Sequence, residues 1–262
     1  MDNALWIAKT GLEAQDKEMA VTANNISNAN TVGFKESRAQ FSDLMYENIK
    51  QPGTESDENT DDPTGLQVGE GVRIEGTSKN FSEGNAKTTN RQLDVMIQGN
   101  GFLQVEKPDG TIAYTRDGAL SVDGNGALTT QDGYPVTPQI TIPQNTTSIS
   151  IGKDGKVEAT VAGQDAPQEA GQITLATFVN PGGLSSLGGN LYGATQASGD
   201  ATVGAPGESG VGSILQGALE SSNVSIVNEL VKMIQIQRSY EMNSNAISIS
   251  NKMSEFLTQH TG

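Results

Sequence analysis

Residues 224–257 read VSIVNELVKMIQIQRSYEMNSNAISISNKMSEFL, a run without proline or glycine whose apolar pattern decides the architecture. Ile226, Leu230, Met233, Gln237, Tyr240, Ser244 and Ile247 recur at spacings of three and four, which draws one stripe along a helix. A second stripe, Met242, Ala246, Ile249, Met253 and Phe256, takes over toward the end. The spacing predicts a long helix from about Val224 to Leu257, with Ser221 or Ser222 as its N-cap, in contact with more than one neighbour.

The opposite end of the chain carries a matching signal. Leu5, Ala8, Leu12, Gln15, Met19, Thr22 and Ile26 repeat with the same period and predict a helix from Asn3 to about Ile26. The stripe is narrow and broken by Gln15 and Thr22, so it reads as a seam against another helix. The asparagine-rich segment Ala23 to Lys35 should end this helix, because a short amide competes with the backbone ladder. Isolated helices of ~35–50 Å gain little in water, whereas burial of each Leu or Met is worth ~1.5–3 kcal/mol. The two ends are therefore expected to pair, and the second stripe of the C-terminal helix is left for helices of other copies.

Between the helices the period falls to two. Turn signals at Pro108-Asp109-Gly110, Asp123-Gly124-Asn125-Gly126, Gln131-Asp132-Gly133 and Lys153-Asp154-Gly155 separate candidate strands at 93–98, 102–106, 112–116, 148–151, 157–161 and 173–179. This is antiparallel β of sandwich or irregular barrel type. Gly193 to Gly212, poor in bulky residues, reads as a connector. The chain divides into an N-terminal helix (1–30), an extended connector (31–69), a β-rich domain (70–212) and a C-terminal helix (213–262). Within the connector, Gln51-Pro52-Gly53 opens an acidic loop with Glu55, Asp57, Glu58, Asp61 and Asp62. The fold class is α+β, with terminal helices pairing as a coiled-coil-like bundle around a central antiparallel domain.

Composition narrows the function. The 262 residues contain 16 Lys plus Arg against 31 Asp plus Glu, a formal charge of -15, which repels nucleic acid and anionic lipid. There is no cysteine, so disulfides, thiolate metal sites and cysteine nucleophiles are excluded. The start of the chain lacks the basic and apolar regions of a signal peptide, and no stretch approaches the ~18 apolar residues of a membrane span, so export by another route is expected. His260 is the only histidine and lies near the C-terminus, which argues against a histidine-based triad or zinc site. The acidic run lacks EF-hand spacing, and Gly99-Asn100-Gly101 lacks the third glycine of a dinucleotide fingerprint. No catalytic, metal or cofactor site is expected.

Three groups of residues carry a resemblance. Ala23-Asn24-Asn25 with Asn28, Thr31, Gly33, Phe34 and Lys35 resembles the N-terminal signature of the axial rod and hook family of the bacterial flagellum. Gly99-Asn100-Gly101-Phe102-Leu103 and Tyr114-Thr115-Arg116-Asp117-Gly118 are similar to its middle domain. Asn223-Val224-Ser225 through Leu230, Met233, Ile234, Gln237, Arg238 and Tyr240 match its C-terminal helix. Ile49 to Gly53 and Gly65-Leu66-Gln67-Val68-Gly69 look most like the distal-rod branch.

The resemblance implies a structural subunit of the flagellar basal body, exported by the flagellar type III apparatus. It implies helical self-assembly into a rod that crosses the periplasm and carries torque toward the hook. The implied partners are further copies, proximal rod proteins, the hook or hook-junction protein, and the bushing rings in peptidoglycan and outer membrane. Residues expected at the assembly interface are Leu5, Trp6, Leu12, Met19, Asn24, Asn25, Asn28, Gly33, Phe34, Leu230, Met233, Ile234, Tyr240 and Ile247. For the asparagine segment, turn chemistry with Gly33 at positive φ stands beside bonding to neighbouring subunits. A peptidoglycan hydrolase with paired carboxylates, and a soluble β-rich binding module on a helical stalk, are the competing classes.

Overall fold

The computed structural model describes residues 2–50, 55–57, 60–61, 64–163, 166–208 and 210–260. Of the features expected from sequence, Gln51-Pro52-Gly53, Glu58, Asp62 and the side chain of His260 lie outside the described residues. The chain forms two compact units: Met1–Ile26, Ser37–Ser78 and Ile226–Gly262 make the first, and Ser27–Glu36 with Lys79–Ser225 make the second.

The first unit contains both helices, α1 (Asp2–Ser27) and α2 (Ile226–His260). They run antiparallel, with Gly11 of α1 against Asn243, Glu18 beside Lys232 at 3.4 Å, and Asn25 beside Glu229 at 3.3 Å. Gly11, Glu18 and Asn25 stand seven residues apart, the period of a two-helix seam. At Gly11 the Asn243 side chain packs against the α1 backbone: a Cβ there would lie 2.9 Å from Asn243 Nδ2. All seven residues of the expected α1 stripe are buried or half-buried.

The segment read as an extended connector folds back on itself. Ser37–Asp43 pairs with Val72–Lys79, Tyr46–Lys50 with Leu66–Gly69, and Glu55–Asp57 with Thr60–Asp61, forming one long hairpin. The described part of the acidic run is thus the hairpin's outer end. Alternation in Val72-Arg73-Ile74-Glu75 is the local signal for a strand, and the polar loop residues between the arms obscured the pairing. A two-stranded ribbon is marginal alone, and α1 supports it at one end, where Thr10 Oγ1 accepts the Val72 N–H at 3.4 Å.

The second unit is antiparallel throughout. Phe102–Glu106 is its central strand, flanked by Ile112–Thr115 on one side and by Leu175–Thr177 with Val136–Thr137 on the other. Thr202–Gly204 closes one edge and Ser185–Gly188 the other. A separate three-stranded sheet joins Thr146–Ile151, Lys156–Val161 and Gln168–Gln172. Val95, Ile97, Leu103, Leu120, Leu128, Ile140, Val157, Ile173, Leu175 and Ile214 fill the main core. The four expected turns carry Gly110, Gly126, Gly133 and Gly155 at φ of 77–86°, a region open to glycine at little cost.

The unit continues beyond Gly212. Ser213–Gln216 pairs with Val95–Gln98, and Ala218–Glu220 with Ala86–Thr88. Ser222 does not cap α2; it accepts the Val224 amide at 3.2 Å, ahead of the helix.

Candidate assembly interface

The face that α2 turns toward α1 is partly polar. Glu229 and Ile236 are buried, and Lys232 and Asn243 are half-buried. Ile236 aside, much of the apolar surface of α2 points elsewhere: Leu230, Val231, Ile234, Met242, Ile249, Met253 and Phe256 are 47–65 % exposed. Val231, Ile234, Met242, Ile249, Met253 and Phe256 form one continuous row at spacings of three, four, seven and eight. Of the expected interface residues on α2, Leu230, Ile234 and Tyr240 are exposed, while Met233 and Ile247 are half-buried.

On α1, Leu5, Leu12 and Met19 are half-buried, whereas Trp6 is 50 % exposed with the Lys9 ammonium 5.2 Å from its ring centroid. Asn24 is exposed at the end of α1 and Asn28 is half-buried, its amide oxygen accepting the Thr31 hydroxyl at 3.2 Å.

Three of the expected interface residues have a role within their own chain. Asn25 is fully buried; its amide oxygen accepts the Ser37 N–H at 2.9 Å, and its Nδ2 donates to the Ser37 carbonyl at 2.8 Å and to Glu229. The side chain thus pairs with both backbone groups of the first hairpin residue, as a strand would. Gly33 takes φ 68°, and a Cβ there would meet the Arg116–Asp117 backbone at 2.8–2.9 Å. Phe34 is buried, with the Lys79 ammonium 4.9 Å above its ring.

A buried ion network lies within the second unit, and sequence reasoning missed it. Lys35 and Glu220 are both fully buried, with Nζ 2.6 Å from Oε1 and also donating to the Ser82 carbonyl at 2.6 Å. Glu220 Oε1 further accepts the Gly84 N–H at 2.9 Å, and its Oε2 lies 3.4 Å from Arg116 Nη1. Burial lowers the Lys35 pKa, outweighing the support of the Glu220 carboxylate, and burial likewise lowers that of Arg116. Asn223 stitches the same region: Oδ1 accepts the Glu36 amide and Nδ2 donates to the carbonyls of Asn80 and Ser82. The available signal was chemical: Lys35 follows the apolar Val32-Gly33-Phe34, and a cation placed there requires an anion.

Tyr192, packed edge-on to Phe81 at 5.3 Å, has its phenol pushed to about 12 by burial, with the Glu220 charge second. A phenol whose folded pKa lies above its unfolded value of 10.0 gives stability that is complete below that pH and disappears as pH rises through about 12. In an ultraviolet titration Tyr192 should contribute an ionisation step near pH 12. The Tyr192→Phe variant should lack that step; an unchanged curve would mean the assignment is wrong.

Comparison with known proteins matches this geometry. The family model for flagella basal body rod proteins matches residues 5–35, that for the flagellar hook protein FlgE/F/G D1 domain matches 96–159, and that for the FlgEFG protein C-terminal region matches 215–259. The flagellar basal-body rod protein FlgG of Buchnera aphidicola subsp. Schizaphis graminum is 51 % identical over 98 % of both chains. The FlgG of Caulobacter vibrioides is 46 % identical over 98 % of both, whereas the FlgF of the same organism is 36 % identical over 92 % of this chain and 90 % of its own. The two terminal matches take in the helix pair, and the middle match falls on the β unit, so the chain belongs to the FlgG family of flagellar basal-body rod proteins.

Proposed function

We propose that this chain polymerises helically through α1 and α2 into the distal rod of the flagellar basal body, and that the rod so formed transmits torque to the hook. The observation that carries the reading is the exposed apolar row on α2, Val231 to Phe256, on a helix whose other face is already occupied by α1. Each such side chain gains ~1.5–3 kcal/mol on burial, and a soluble chain would not keep the whole row in water without a use for it. Many identical contacts repeated around a tube resist bending and torsion, which is what a drive shaft requires.

The proposal includes no catalytic step. Asp94, Glu220 and Glu229 are the buried carboxylates among the described residues, and each faces a cation or an amide of the fold. Proximal rod proteins, the hook-junction protein, the surrounding rings and the export apparatus are the partners proposed with it, and a position across the periplasm follows from them.

The absence of cysteine makes a direct test available. Single cysteines at Ile234 and at Ile249 can form cross-links only between copies. A short bismaleimide should produce covalent oligomers from the assembled chain at both positions and none from cysteine at the buried Ile236. Equal yields at all three positions, or none at the exposed two, would sink the helical-interface reading.

A further inference from the structure

With no cysteine in the chain, the thioethers of its seven methionines are its only sulfur atoms. Their surroundings differ sharply. Met96, in the β unit, is 2 % exposed, and Met19 and Met233 are half-buried. Met242 and Met253 are 65 % and 57 % exposed, and Met45, on the hairpin, is 80 % exposed. Met242 and Met253 stand on either side of Ile249 in the apolar row of α2, seven residues before it and four after, close to two helical turns and to one.

An exposed thioether is open to a peroxide. Sulfur attacks one oxygen of hydrogen peroxide and the O–O bond breaks. That oxygen stays on sulfur as a sulfoxide, and the other leaves as water with both hydrogens, so sulfur is oxidised by two electrons and the peroxide reduced by two. The product is polar, and enzymatic reduction reverses it. On a free subunit the sulfoxides of Met242 and Met253 stay hydrated and disturb the fold little, because neither side chain is packed in a core. In a seam between helices they would have to shed that water against Val231, Ile249 and Phe256, whose side chains carry no hydrogen-bond donor. Oxidation at these two positions therefore acts on association more than on folding. Conversely, a seam that covers the sulfur atoms keeps peroxide from them, and the two effects are reciprocally linked.

We propose that Met242 and Met253 are sites of reversible oxidation by a peroxide, and that their sulfoxides hold the subunit unassembled until they are reduced. The proposal rests on the reading of the α2 row as the surface that joins copies.

The test is a timed exposure of the dilute full chain to hydrogen peroxide, stopped with catalase and read at each methionine by peptide mass spectrometry, with electron microscopy after concentration. Met242 and Met253 should oxidise at least about tenfold faster than Met96. The oxidised chain should need at least about tenfold more protein to form tubes, at unchanged circular dichroism. Methionine sulfoxide reductases acting on both epimers should restore assembly. Met242→Leu combined with Met253→Leu, a swap of similar volume, should assemble with or without peroxide, whereas Met45→Leu should remain sensitive. In tubes formed beforehand, the two sites should oxidise at least about tenfold more slowly than in the free chain. Rates equal to that of Met96, tube formation unaffected by oxidation, or peroxide sensitivity retained by the double leucine variant would each overturn the proposal. An untreated chain carrying Ile234→Asp and Ile249→Asp separates the two readings. If it fails to assemble while the oxidised chain assembles, only the oxidation proposal falls; if it assembles, the interface reading falls and takes the link between oxidation and assembly with it.

Discussion

Glu220→Gln is expected to destabilise the β unit by ~3–5 kcal/mol, the loss associated with breaking a buried ion pair while its partners stay in place. The substitution is nearly isosteric, so little packing changes. What changes is the charge balance: Lys35 and Arg116 would remain buried beside an uncharged amide, and that amide can accept only some of the bonds that the carboxylate takes from Lys35, Gly84 and Arg116. Lys35→Met is expected to cost less, because it leaves Arg116 and Glu220 as a matched pair. Chemical denaturation followed by tyrosine circular dichroism, to which Tyr114, Tyr134 and Tyr192 of this unit contribute, measures both. A loss below ~1 kcal/mol for Glu220→Gln, or a larger loss for Lys35→Met, would show that the carboxylate does not hold this unit together.

The network has a consequence for how the N-terminal signature works. Gly33, Phe34 and Lys35 belong to the β unit, and the Gly33 amide donates to the Glu220 carbonyl at 2.8 Å. Asn25, earlier in the same motif, is tied instead to Ser37 and Glu229 of the helical unit. Residues of one short motif therefore anchor two units, each by a buried polar side chain that has its partners supplied. Unpaired, either would cost several kcal/mol.

Much of the fold was legible because it depends on local periods. The α1 stripe from Leu5 to Ile26, the strand at 102–106 and the glycine turns at 110, 126, 133 and 155 all follow from spacing and from the residues that tolerate positive φ. The hairpin of residues 37–79 was not legible: the pairing joins residues far apart in sequence, and the five residues of Tyr46–Lys50, all exposed, show no alternation of burial to read. The ends of the β unit were missed for the same reason, since Ser213–Gln216 completes a sheet with Val95–Gln98, more than a hundred residues earlier.

At the candidate interface, Met242, Ile249, Met253 and Phe256 of the second expected stripe lie on the exposed row, but Val231 and Ile234, which continue it toward the start of α2, belonged to neither stripe, and the face that meets α1 was not foreseen. It carries Glu229, Lys232 and Asn243, and a reading based on hydrophobicity passes over polar residues even when their partners recur at seven-residue spacing. Asn25 and Phe34 were assigned to contacts between subunits on motif membership, and the structure adds a role inside their own chain, with Asn25 bonded to Ser37 and Phe34 buried beneath Lys79.

The second large effect concerns assembly. Ile234→Asp combined with Ile249→Asp should abolish polymerisation while leaving the subunit folded. Both side chains are more than half exposed, at 51 % and 58 %, so the isolated chain loses little packing, and its unfolding free energy should shift by no more than ~0.5 kcal/mol per site. In a polymer each copy would forfeit ~1.5–3 kcal/mol per buried side chain and would also bury a carboxylate against apolar neighbours, on a chain already at a formal charge of -15. The penalty recurs at every subunit, so assembly fails as a whole.

Electron microscopy of the unmodified chain and of this double variant, both at high concentration and with matched circular dichroism, tests the central claim most directly. The account predicts straight tubes from the unmodified chain and none from the variant. Tubes of equal abundance from both would show that the exposed face of α2 is not what joins the subunits.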